Sequence, residues 1–192
     1  METRNNKFEM ERRVFAGELR AEPDSRAVEG YAAVYGSPTD LGWFSEEIAP
    51  GAFDGADMKD ARALFNHNDS AVLARFPGTL QLTVDERGLK YRFEAPNTTT
   101  GNDLLEMLRR GDINQSSFAF TIQDDEWHTK DGKDHRTIKK IKRLYDVSPV
   151  TFPAYADTSV ALRSREHSAE YEQRTKDNAD LRARFFEERR DS

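Results

Sequence analysis

Between Val14 and about Leu162, short apolar or aromatic runs alternate with turn-forming residues. Such runs, bounded by Gly, Pro, Asn and Asp, predict strands rather than long helices. The spacing predicts strands over Val28–Tyr35, Ala63–Asn66 and Ala71–Phe76, the last two flanking a short polar turn. Leu80–Val84 and Leu89–Phe93 flank Asp85-Glu86-Arg87-Gly88, and apolar residues alternate with polar ones in both runs. That is the pattern of a hairpin. Further strands are predicted over Ser117–Ile122, over Ile138–Val147 after the turn-rich Thr129–Asp134, and over Val160–Leu162.

Helical patterning is sparser. Asn102-Asp103 can cap a helix that runs to about Arg110, with Leu104, Leu105 and Leu108 on one face and Gly111 as its stop. A weaker helical pattern covers Asp54–Lys59. Together these elements predict a mostly β domain with a few helices (α+β), closer to a small barrel than to a βαβ layer fold.

The two ends differ from this middle. Residues 1–13 are polar and charged and read as a flexible arm without an apolar signal-peptide core. The segment 163–192 is more than half charged, with the two signs balanced, and reads as a solvated helix or a disordered tail. The domain proper is therefore expected over 14–162. A hydrophobic fraction of 36% beside 33% charged residues fits a compact domain diluted by solvated ends.

Charge and composition narrow the function. A net charge of -6 disfavours nucleic acid as a partner, because such domains are usually basic. The chain has no cysteine, which removes disulfides, a thiol nucleophile and cysteine-ligated zinc. No apolar run approaches the length needed to span a bilayer, so no membrane partner is expected. These features suggest a soluble, unexported protein.

Candidate chemistry lies in three segments. His67 follows the apolar run Ala63-Leu64-Phe65 and sits in Asn66-His67-Asn68-Asp69, where a strand enters a polar turn. His128 and His135 fall in or beside the polar stretch Asp124–Asp134 and read as solvated loop residues; His167 lies in the charged tail. Ser116 and Ser117 open the run Phe118-Ala119-Phe120. In period-two alternation Ser117 and Ala119 share one face, while Ser116 falls on the phenylalanine side. Asp146 stands between apolar neighbours in Leu144–Val150, and an acid buried there requires a partner. A serine hydroxyl needs a histidine to accept its proton, and that histidine needs an acceptor to fix its tautomer. Spacing alone leaves each residue open to an ordinary role: a hydrogen-bonded His67, serines that begin a strand, a surface-facing Asp146.

Taken in order, the segments resemble one family. Val28-Glu29-Gly30-Tyr31-Ala32-Ala33-Val34-Tyr35 comes first, then Glu47-Ile48-Ala49-Pro50-Gly51-Ala52-Phe53 and Leu64-Phe65-Asn66-His67-Asn68. Gly88-Leu89 and Arg110-Gly111-Asp112-Ile113 follow, leading to Ser117-Phe118-Ala119-Phe120. Asp146-Val147-Ser148-Pro149-Val150-Thr151 and Pro153-Ala154-Tyr155 close the series. This chain resembles the caudovirus prohead serine proteases, the maturation proteases of tailed phages, over roughly Val14 to Leu162.

The resemblance implies a β-barrel surrounded by helices, like that of herpesvirus assembly proteases. It implies a serine endopeptidase that acts, without cofactor or metal, on the major capsid protein and its scaffold segment. The setting it implies is the assembling procapsid in the host cytoplasm, with self-association. The charge and low hydrophobicity of 163–192 suggest a tail that docks into the shell or is self-cleaved. By position in the motifs, His67 is the base, Ser117 rather than Ser116 the nucleophile, and Asp146 the group that orients the base. The chain departs from the family pattern in having Gln115 and Ala119 where glycine is frequent, and Asp146 where glutamate is frequent. Herpesvirus relatives fill the third role with a second histidine, a part His128 or His135 would have to play here. Arg136 and the Phe118 amide are the candidates for an oxyanion hole, neither assigned. The rival readings are a non-catalytic procapsid component of the same fold and a metal-dependent hydrolase using His67 with Asp69.

Overall fold

Alternation and turn chemistry produce strands joined by tight turns, with one helix among the described residues. The computed structural model describes residues 10–16 and 19–152. The predicted strand Val160–Leu162, His167 and the charged tail lie outside these residues, as does most of the N-terminal arm. In order the elements are β1 (Glu11–Ala16), β2 (Arg20–Ala21), β3 (Ala27–Val34), β4 (Thr39–Asp40), β5 (Phe44–Ile48) and β6 (Arg62–Phe65). They continue with β7 (Asn68–Arg75), β8 (Leu80–Val84), β9 (Gly88–Glu94), α1 (Thr99–Arg110), β10 (Gln115–Lys130) and β11 (Lys133–Val150). The protein is mostly β, as the pattern implies, but has one helix among the described residues where a few were expected. Glu11, Arg12 and Arg13, which read as the end of the arm, belong to β1.

The strands form two sheets. One runs β1-β10-β11-β5-β4, with β6 paired to β11 and β7 paired to β6; the other runs β2-β3-β9-β8. Among the described residues the pairing does not close into a ring. Both sheets contribute to one core, in which Phe118 and Phe120 of β10 join Val28, Leu89, Tyr91 and Phe93 of β3 and β9. At Gly88 the second sheet requires a glycine: φ is +156°, and a Cβ there would stand 2.1 Å from the Ala33 carbonyl oxygen.

The cap of α1 lies four residues before Asn102. Thr98 is the cap, its hydroxyl accepting from Gly101 N–H at 3.2 Å. Asn102 instead accepts from Arg26 Nη2 at 2.9 Å. Leu104, Leu105 and Leu108 are buried, and Gly111 ends the helix at φ +80°. Asp54–Lys59 is not a helix: Gly51 and Gly55 both take φ +79°, and the segment runs as turns with one bridge from Asp57 to Arg143.

The largest difference from the pattern is the length of β10 and β11. Asp124–Asp134 reads as a polar loop, yet it is a two-stranded ribbon turning at Asp131-Gly132, with φ of +53° and +77°. Both left-handed positions match a two-residue hairpin turn. Cross-strand pairs hold the polar ribbon: Lys139 Nζ lies 2.9 Å from Glu126 Oε2, and Trp127 faces Arg136 and stacks on Trp43.

Candidate active site

The site begins at the tip of the β6–β7 hairpin. Its two-residue turn is Asn66-His67, at φ +55° and +54°. A turn with both central residues left-handed suits the twist of a hairpin. Asparagine tolerates that region; for histidine it costs on the order of 1 kcal/mol, a local strain that its surroundings must hold. They do so through β11. Asn66 N–H donates to the Pro149 carbonyl at 3.0 Å, Thr151 N–H donates to Asn66 Oδ1 at 2.8 Å, and Asn66 Nδ2 donates to Thr151 Oγ1 at 3.1 Å. β6 also runs parallel to β11, Asp146 opposite Arg62 and Val147 opposite Ala63. The turn is thereby clamped against the end of β11, with the His67 ring over the sheet.

Strand register supplies the rest. Ser117 of β10 pairs with Ser148 of β11, and Ala119 pairs with Asp146. Alternation sends Phe118 and Phe120 into the core and leaves Ser117, Ala119, Asp146 and Ser148 together on the other face. Ala119 is small enough to leave the carboxylate of Asp146 room beside it.

The three expected residues meet. His67 Nδ1 lies 2.6 Å from Asp146 Oδ1, and His67 Nε2 lies 2.6 Å from Ser117 Oγ. An ionised carboxylate only accepts, so Nδ1 carries the proton and Nε2 presents its lone pair to the serine. The Ser117 hydroxyl has one proton and a second acceptor, the Arg13 carbonyl at 2.9 Å. Ser117 is fully buried, and the side chains of His67 and Asp146 are 7% and 9% exposed. Shielding from water strengthens each of these interactions.

Ser116 does something else. Its hydroxyl shares a 2.7 Å hydrogen bond with the Tyr91 hydroxyl in the core. Burial pushes the Tyr91 phenol far up, and the bond to Ser116 offsets only part of this.

His128 and His135 do not reach the site. They face each other in the ribbon with rings stacked 5.1 Å apart, and His135 Nδ1 contacts Ser45 Oγ. From Ser117 to His128 the strand extends roughly 35 Å at about 3.3 Å per residue. Neither can orient His67, because strand pairing makes the segment extended rather than a loop that could fold back.

Arg136 is also occupied elsewhere. It is 1% exposed; its Nη1 lies 2.8 Å from Glu11 Oε2 and 3.0 Å from Glu46 Oε2, and its Nε lies 2.7 Å from Asp125 Oδ2. Arg13 shares the cluster, with Nε 2.5 Å from Glu46 Oε1 and Nη2 2.5 Å from Glu11 Oε2. Burial opposes the charge of both guanidiniums, but the surrounding carboxylates outweigh it and hold both pKa values above the usual arginine range. Phe118, the other oxyanion candidate, lies mid-ladder between Arg13 and Val147. Asp69 is exposed and bonds weakly to Ser70 Oγ at 3.5 Å, while both ring nitrogens of His67 are engaged.

Three features of the site were not read from the sequence: Ser148, the Arg13 carbonyl and the Asn66–Thr151 clamp. Ser148 Oγ donates to Asp146 Oδ1 at 2.6 Å and lies 3.3 Å from His67 Nδ1. The spacing Asp146-x-Ser148 on a strand places both on one face and carries this signal.

A serine hydroxyl, an imidazole and a carboxylate in sequence are an arrangement of the kind that serine hydrolases use. The family model described as caudovirus prohead serine protease matches residues 16–173. The chain belongs to that family, the serine proteases of phage prohead maturation. No curated protein and no solved structure matches it. Among the described residues no helix is long and apolar enough to cross a membrane.

Proposed function

We propose that this protein is an active endopeptidase of procapsid maturation, with Ser117 as nucleophile, His67 as general base and acid, and Asp146 as the group that orients His67. The observation that carries the reading is the unbroken Ser117–His67–Asp146 chain of two 2.6 Å contacts. Ser117 Oγ attacks the scissile carbonyl carbon while its proton passes to His67 Nε2. Asp146 stabilises the imidazolium so formed. His67 then gives that proton to the leaving amine nitrogen as the peptide C–N bond breaks, leaving an acyl ester on Ser117. Water attacks the ester carbon as His67 takes its proton, and His67 then returns that proton to Ser117 Oγ as the ester C–O bond breaks, which regenerates the serine and leaves a new carboxyl terminus on the product.

Family membership supports capsid proteins as substrates, specifically the major capsid protein and its scaffold segment. It also supports action inside the procapsid, in the host cytoplasm. The same reading takes the two sheets as a relative of the herpesvirus assembly-protease barrel, the protease domain as about 14–162, and self-association as its working state. The charged segment 163–192 is then a docking or self-cleaved tail.

The test is co-expression of the chain with its capsid protein, as wild type and as Ser117→Ala. Processing by the wild type alone is expected. Equal processing by both would overturn the serine assignment, loss of activity to a chelator would favour a metal-dependent hydrolase, and no processing by either would favour a non-catalytic shell component. Truncation after about Arg165 is expected to leave peptide hydrolysis intact and to reduce incorporation into procapsids.

A further inference from the structure

The fourth polar side chain on the catalytic face, Ser148, is absent from the role assignments above. It is fully buried. It sits opposite Ser117 in the ladder, two residues beyond Asp146 on the same strand. Its hydroxyl lies 2.6 Å from Asp146 Oδ1, the same oxygen that accepts from His67 Nδ1 at 2.6 Å. An ionised carboxylate has no proton to give, so the serine is the donor. Its distance to His67 Nδ1 is 3.3 Å, which leaves the Asp146 bond as its principal contact.

We propose that Ser148 is a positioning residue for the proposed triad: it fixes the Asp146 carboxylate and shares the oxygen that faces His67. This rests on the Ser117–His67–Asp146 reading and deepens it. Two physical effects carry the argument. First, the terminal torsion of aspartate is broad and roughly two-fold, so one bond to His67 leaves the carboxylate free to rock. A second donor on the same oxygen fixes the direction in which Oδ1 faces Nδ1. Secondly, a short O–H···O⁻ bond is charge-assisted and draws charge from the oxygen that faces the imidazole. Without it the carboxylate is free to turn, and the Oδ1 contact that aims His67 Nε2 at Ser117 is held for less of the time.

The experiment compares wild type, Ser148→Ala, Ser148→Thr and Ser117→Ala as full chains. It uses cleavage of the capsid protein and of a peptide taken from its mapped cleavage site. For Ser148→Ala, kcat is expected to fall on the order of tenfold with KM unchanged, the loss of one charge-assisted bond in the transition state. Ser148→Thr, which restores the hydroxyl, is expected to recover most of kcat. Should alanine prevent folding, Ser148→Cys leaves only a weak donor in a slightly larger side chain and carries the same expectation. A Ser148→Ala kcat equal to wild type, or a threonine variant no better than alanine, overturns the proposal. Activity retained by Ser117→Ala would instead overturn the triad reading itself, so the two failures are distinguishable.

Discussion

Asn66 and Thr151 hold each other by two hydrogen bonds, Thr151 N–H to Asn66 Oδ1 at 2.8 Å and Asn66 Nδ2 to Thr151 Oγ1 at 3.1 Å. The pair joins the hairpin turn that carries His67 to the strand that carries Asp146. It separates two demands on one residue: a side chain that clamps and a backbone that tolerates φ +55°. Asn66→Ala loses both and is expected to cost about 1–3 kcal/mol of stability. Asn66→Gly keeps the turn and loses only the clamp, so it is expected to cost less stability yet lower kcat comparably. Denaturant unfolding beside peptide hydrolysis reads both. A glycine variant with wild-type kcat would show that the clamp does not position His67.

The cluster of Arg13, Arg136, Glu11, Glu46 and Asp125 ties β1 to β5 and to the base of the ribbon. Arg136 is the only oxyanion candidate from the sequence with a side-chain charge, and three carboxylates already engage it. Arg136→Leu would leave those buried acids short of a partner, with an expected cost of about 3–5 kcal/mol. Arg136→Lys is expected to recover only part, because an ammonium cannot reproduce the planar fork. Hydrolysis per folded molecule is expected to stay near wild type. A large fall in kcat with unfolding unchanged would return Arg136 to the oxyanion role.

Ser116 and Tyr91 give the core an alkaline limit. The Tyr91 phenol is pushed up in the folded chain, so the folded state holds that proton more tightly than the unfolded state does. Its stabilising contribution is complete below the unfolded value of about 10 and is lost as pH rises above it. Tyr91→Phe is expected to cost about 1–2 kcal/mol at pH 7, because Ser116 loses its buried partner. The same variant is expected to lose stability less steeply than wild type above roughly pH 10. Urea midpoints at neutral and alkaline pH test this, and parallel curves for the two proteins would contradict it.

The legible parts of this fold are those where the deciding contact is local. The β8–β9 hairpin follows its alternation and the Asp85–Gly88 turn, and α1 stops where Gly111 stands. Its start has a weak sequence signature because Gly101, a poor helix former, stands in the first turn; a Cβ there would meet the Pro96 carbonyl oxygen at 2.1 Å. The β10–β11 ribbon is polar along much of its length, and what makes it strand lies across the ladder, in pairs such as Trp127 and Arg136. At the site, motif order singled out His67, Ser117 and Asp146. Ser148 left only the weak signal of its two-residue spacing from Asp146 on one strand face, which a serine in an apolar strand shares with many ordinary serines. The Arg13 contact is longer-ranged still, because a backbone carbonyl has no sequence signature.

Asp146 is the proposed triad member on which the chemistry can be tested without changing side-chain size. Asp146→Asn keeps the shape but puts an amide opposite His67 Nδ1 in place of an acceptor-only oxygen. If the amide nitrogen faces the ring, Nδ1 must accept, the proton moves to Nε2, and Nε2 can no longer take the Ser117 proton. If the amide oxygen faces the ring, the tautomer survives but the imidazolium loses its counter-charge. Either way the fall in kcat is expected to be on the order of 10³-fold or more near neutral pH. Stability is expected to change little, since the Ser148 hydroxyl can donate to the amide oxygen or accept from the amide nitrogen, whichever takes the place of Oδ1. Asp146→Ala removes the acceptor and leaves a gap beside Ala119, so it is expected to lose both activity and stability. Hydrolysis of the mapped peptide by the asparagine variant, followed from about pH 6 to pH 9, is the deciding measurement. Retention of more than a tenth of wild-type kcat at neutral pH would remove Asp146 from the third role.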